Sequence, residues 1–104
     1  MIALMLLASC GNNGKVKKPE RLLSEQQMTD VLTDAYLIEA ILNQKKSVGE
    51  NVDSLQSVYY DQLFEHYGIN DSVFDQNMRY YSYQLPALEQ MMDSVTNRFL
   101  KAQQ

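Results

Sequence analysis

This 104-residue chain holds one cysteine, one histidine, two prolines, four glycines and no tryptophan. With one cysteine no intramolecular disulfide can form, whatever the compartment. With one histidine, His66, the paired-histidine zinc motif and histidine-rich metal sites are excluded. No serine is framed by the glycines of a nucleophile elbow, and no acidic run has the spacing of a calcium loop. No apolar run approaches the roughly 20 residues that a transmembrane helix needs.

The charge is lopsided. From Gly11 to Arg21 stand Lys15, Lys17, Lys18 and Arg21 against Glu20, a balance of +3; from Leu22 on, five basic and twelve acidic residues leave −7. An acidic body repels phosphates, which argues against a nucleic-acid partner. The basic stretch reads as a solvated linker, or as a segment able to rest on anionic lipid headgroups.

What is present begins at the amino terminus. Met1 to Ala8 is apolar, and Leu7-Ala8-Ser9-Cys10 has a branched apolar residue three positions before a cysteine that two small residues precede. That is the pattern of a bacterial lipoprotein signal, cut before a thiol that carries lipid. Gly11-Asn-Asn-Gly14 follows as a flexible polar tether. The expected division is therefore a signal segment over 1–9, the lipid-attached Cys10 with a basic linker over 10–21, and a helical domain over 22–104. No positive charge precedes the apolar run, so the natural start is expected upstream of Met1. Lipid on Cys10 would make the membrane the first partner, placing the chain in the cell envelope, on the outer membrane facing the periplasm.

The domain reads as all-α, a small antiparallel bundle of about four helices. Ser24 with Gln27 forms a capping box that opens a helix to about Lys46, with Lys45 and Lys46 suiting its last turn. Asp53 with Gln56 reads as a second capping box, for a helix to Tyr67. Gly68 supplies the left-handed stop, and Ile69 is the apolar residue that follows it. Asn70 or Asp71 caps a third helix to about Ser82, and Pro86 starts a fourth that runs to about Lys101.

Leu88, Met91, Met92, Val95 and Phe99 make one narrow apolar stripe on the fourth helix. The second helix is apolar nearly all round, through Leu55, Val58, Tyr59, Tyr60, Leu63, Phe64 and Tyr67. That width predicts a central place in the bundle.

Three features break the pattern. Glu39 projects into the apolar arc of the first helix (Met28, Val31, Leu32, Ala35, Ile38, Leu42), so a buried carboxylate with a partner is expected there. Arg79, Arg98, His66 and the tyrosine hydroxyls are the candidates. His66 flanks the apolar face of the second helix and reads as a hydrogen-bonded packing residue. The acidic pairs Asp30/Asp34, Asp61/Glu65, Asp71/Asp75 and Glu89/Asp93 read as solvated faces, each costing a few tenths of a kcal/mol.

Seven tyrosines are the most unusual part of the composition. Six of them (Tyr59, Tyr60, Tyr67, Tyr80, Tyr81 and Tyr83) fall within 25 residues. Tyrosine combines large area with a polar tip, which suits helix packing, a protein interface or stacking on a sugar. Tyr60, Tyr67, Tyr80 and Tyr83 are the candidate partner surface.

Pro19-Glu-Arg-Leu-Leu23, Ser24-Glu-Gln-Gln-Met28, Leu32-Thr-Asp34 and Glu39-Ala40 resemble the opening of a domain of unknown function found in small lipoproteins of Bacteroidetes-type bacteria. Tyr60, His66-Tyr-Gly-Ile69, Phe74, Tyr80-Tyr81, Pro86, Leu88 and Val95 follow the same pattern, so the resemblance spans about Lys18 to Phe99. It implies export and anchoring, and carries no catalytic residue across. Together these features predict a non-enzymatic interaction module, an accessory to an envelope assembly, with neither cofactor nor metal. The alternatives are a lipoprotein that binds a glycan or small molecule through the tyrosine-rich hairpin, and an enzyme using Glu39 with His66.

Overall fold

The computed structural model describes residues 17–102. Four helices follow one another: α1 (Glu25–Ser47), α2 (Asp53–Tyr67), α3 (Asp71–Ser82) and α4 (Leu85–Ala102). Among the described residues there is no strand, so the chain is the all-α bundle its periodicity predicts. Cys10, the signal segment and the linker as far as Val16 lie outside the described residues.

The helix ends follow local chemistry. The Ser24 hydroxyl accepts from Gln27 N–H while the Gln27 side chain accepts from Ser24 N–H, a complete capping box. Asn70 caps α3 by accepting from Val73 N–H at 2.9 Å. Gly68 adopts φ +65°, with its N–H on Glu65 O and Ile69 N–H on Phe64 O, a closed Schellman turn.

Two helix starts differ from the sequence reading. Asp53 is the first helical residue of α2 and not its cap: Val52 holds the cap position, with no side-chain hydrogen bond to the helix. Asn51 accepts from Asp53 N–H instead. Val52 is almost fully buried, so the chain turns inward one residue earlier than the capping rule suggests. Helix α4 begins at Leu85, and Pro86 takes the second position, which also needs no N–H donor.

Helix α1 is the hub. It packs along α4 on one side and α2 on the other, while α3 packs against α4. Met28, Val31, Leu32 and Ala35 of α1 meet Leu63 of α2, Tyr81 of α3, and Met91 and Val95 of α4 in one core, closed by Leu23 ahead of α1. The expected central place of α2 is thus wrong. Only Leu63 of that helix is buried, and Val58 stays 47% exposed. Much of its apolar width is tyrosine, and Tyr60 and Tyr67 reach the rim of the packed face with their hydroxyls bonded there.

The segment before α1 is a structural strap. Asn77, the most deeply buried polar residue, accepts from Leu23 N–H at 2.8 Å and donates to Arg21 O at 2.9 Å and Val73 O at 2.8 Å. Tyr81 donates its hydroxyl to Leu23 O, and the Arg21 guanidinium donates to Gly68 O. Every backbone group that the strap turns inward at Leu23 is therefore satisfied, as burial requires.

Candidate interaction surface

The tyrosines singled out by the sequence take different roles. Tyr60 is half-buried and donates to the Glu39 carboxylate across the α1–α2 contact. Tyr67, also half-buried, donates to Asp34, with Asp30 O at 3.3 Å as a second acceptor. Burial first, and then the adjoining carboxylate, push the Tyr60 hydroxyl up to about 12 and that of Tyr67 higher still. Burial also raises Tyr81, one of the core residues. Tyr80 is half-buried, edge-on to Tyr81 with ring centroids 5.2 Å apart. Tyr83 alone of the four candidates stands well exposed, at 57%.

Glu39 and His66 are both exposed, which corrects their reading as buried polar residues. Glu39 lies at the edge of the α1 arc, where the Tyr60 hydroxyl reaches it and the side chain stays exposed. His66 sits edge-on to Tyr67, with centroids 4.8 Å apart. Arg98 pairs with Asp30, not with Glu39. The buried polar residue the sequence reading missed is Asn77. A signal existed: it lies within the arc formed by Val73, Phe74 and Tyr81, the same test that drew attention to Glu39.

Two concave regions mark the surface. A cleft of about 790 Å³ lies between the strap and α3, lined by charges of both signs from Lys17, Lys18 and Glu20 on one wall and Asp71, Asp75 and Arg79 on the other. No tyrosine lines it. The second is a groove of about 250 Å³ between α1 and α2, with buried Leu63 among its lining residues and Leu37, Ile38 and Ile41 of α1 facing Tyr59, Gln62 and His66 of α2. Asp34 stands at its edge. Neither cleft is the tyrosine-lined concavity that a stacked glycan would need, since Tyr59 is the single tyrosine lining either of them.

Around the groove the surface is unusually apolar. Leu37 is 50% exposed and Ile41 36%, with Val58 on the neighbouring stripe of α2. Aliphatic side chains at i and i+4 on one helix, facing another across a groove, form the kind of contiguous patch that marks an interaction site more than scattered apolar residues do. Among the described residues no three His, Cys, Asp or Glu side chains are placed to hold a metal ion, and no helix is long and apolar enough to cross a membrane.

No match is found among curated proteins or among solved structures. A family model, described as a domain of unknown function (DUF4296), matches residues 19–104, which takes in the strap and all four helices. The chain, with its capped α1, its Gly68 turn and its strap held by Asn77, belongs to the DUF4296 family.

Proposed function

We propose that this protein is a membrane-tethered bacterial lipoprotein whose helical domain is a non-enzymatic interaction module, an accessory to an assembly of the cell envelope. The tether reading rests on Leu7-Ala8-Ser9-Cys10 and the polar, basic linker after it. The interaction reading rests on one observation: at the α1–α2 groove exposed Leu37 and Ile41 lie one helical turn apart beside buried Leu63, whereas Val48, Leu85 and Leu100, also exposed, stand singly at helix ends. Lipid on Cys10 would hold that groove near the membrane and raise its effective concentration for a partner in the same layer.

Two measurements test the two halves. Mass spectrometry of the mature amino terminus should find an acylated Cys10, and an unmodified thiol there would overturn the tether. A photo-crosslinking residue placed at Leu37 in living cells should give a discrete adduct that the same residue at Asn97, on the exposed face of α4, does not. Equal labelling from both positions, or none from Leu37, would remove the interaction reading.

A further inference from the structure

We infer that the α1–α2 groove receives a single amphipathic helix with basic flanks, contributed by a partner protein and completing a bundle along the open side of α2. This deepens the interaction-module reading and rests on it.

The sequence of α2 is mismatched to its surroundings. Its apolar face is wide enough for two neighbours, yet among the described residues α1 is the one helix that packs along it extensively. Among the described residues no helix is laid over the flank carrying Leu55, Val58 and Tyr59, and Val58 is 47% exposed. Antiparallel helices pack by setting side-chain ridges into the grooves of their neighbours, so the open side of a helix pair is shaped for another helix. Peptide addition to a sheet edge has no template among the described residues, which include no strand.

The size of the groove points the same way. At about 250 Å³ it lies below the roughly 300–1,000 Å³ of pockets that enclose a small ligand. It suits one or two large apolar side chains from the i and i+4 positions of an entering helix. Leu37 and Ile41, themselves i and i+4, would pack against those anchors over buried Leu63.

Charge selects among occupants. Asp34 contributes the one carboxylate in the groove lining. Asp61 and Glu65 stand exposed farther round α2, and Lys45, toward the other end of α1, is already paired with Glu50 at 3.7 Å. The chain from Leu22 on carries −7. A second copy would bring the same excess negative charge to this face, whereas a helix with lysine or arginine on its flanks is attracted to it.

The test uses the full chain and a fluorescent 18-residue amphipathic peptide built of leucine and lysine. Its comparisons are a scrambled peptide of the same composition and a leucine–glutamate helix of the same pattern. The leucine–lysine helix should bind at least about tenfold more tightly than either comparison, with amide shift changes concentrated at Leu37, Ile41, Val58 and Tyr59. The double substitution Leu37→Asp with Ile41→Asp should weaken binding at least about tenfold. Leu100→Asp, on α4, should leave it unchanged, and circular dichroism should show both variants folded.

Equal affinity for the scrambled peptide, or binding indifferent to Leu37→Asp with Ile41→Asp, would overturn the inference. A dimer in sedimentation that those substitutions dissolve would assign the groove to a second copy. Groove shift changes on deleting residues 1–9 would assign it to the chain's own amino-terminal segment. A crosslink from Leu37 in cells without peptide binding would refute the basic helix and leave the interaction module standing.

Discussion

The carboxamide of Asn77 holds the backbone on both sides of Leu22, accepting from Leu23 N–H and donating to Arg21 O. One side chain on α3 thereby replaces the backbone partners that a helix or strand would have given the strap. Both of its polar atoms are used, and Nδ2 also reaches Val73 O within its own helix.

Replacing Asn77 should accordingly be costly. Asn77→Ala removes three hydrogen bonds and leaves Leu23 N–H buried without an acceptor, an expected loss of about 2–4 kcal/mol. A domain of this size has only about 4–13 kcal/mol in all. Asn77→Asp keeps the acceptor but sets a carboxylate against two carbonyl oxygens, so it should destabilise comparably at neutral pH. Urea unfolding followed by circular dichroism checks both; wild-type midpoints would show that the strap contributes little.

Tyr81→Phe and Tyr60→Phe separate a buried hydroxyl from one at the rim. Tyr81 supplies the partner of Leu23 O in the core, and its loss should cost about 1–2 kcal/mol. The hydroxyl of Tyr60 meets an exposed carboxylate that water can serve equally well, so Tyr60→Phe should cost less than about 1 kcal/mol. Paired unfolding curves give the ranking, and a larger cost for Tyr60→Phe would contradict it.

Alkaline pH should loosen the α1–α2 contact. Tyr60 and Tyr67 hold their protons more tightly folded than unfolded, with Tyr60 raised to about 12 from an unfolded value near 10. Above pH 10 the unfolded chain loses these protons first, so stability is full below about 10 and falls as pH rises toward 12. The double substitution Tyr60→Phe with Tyr67→Phe should flatten that fall, as read from unfolding midpoints at pH 9, 10 and 11.

Gly68→Ala probes the turn between α2 and α3. A methyl group there would make only an ordinary contact, 3.8 Å from the Arg21 guanidinium, so space is not the obstacle. The left-handed φ is, and the expected cost is about 1–2 kcal/mol. Gly68→Asn, which tolerates that conformation better, should recover part of it in the same unfolding assay.

Much of the fold was legible because local rules settle it. Ser24 with Gln27, Asn70 and Gly68 each do chemistry that depends on a few neighbouring residues, and the stripe from Leu88 to Phe99 buries Met91 and Val95 as its period requires. Legibility failed where the third dimension decides. Asp53 and Val52 compete for the cap, and the burial of Val52 wins. Glu39 and Asn77 each interrupt an apolar arc, yet only the contacts tell which is buried. The wide face of α2 counted tyrosines as core residues, although the hydroxyls of Tyr60 and Tyr67 end at carboxylates on the rim. The groove was not foreseen, because which flank of α2 stays open depends on where α4 packs.

The strap also sets a mechanical limit. Arg21 is pinned to Gly68, so a force applied toward the amino terminus enters the domain at the α2–α3 corner before it loads α1. Ten residues lie between Cys10 and Arg21, and the eleven steps from one to the other, fully extended, reach ~35–40 Å. For a chain held by lipid at Cys10, that length is the leash radius: a partner helix seated higher above the bilayer would have to stoop to meet the groove.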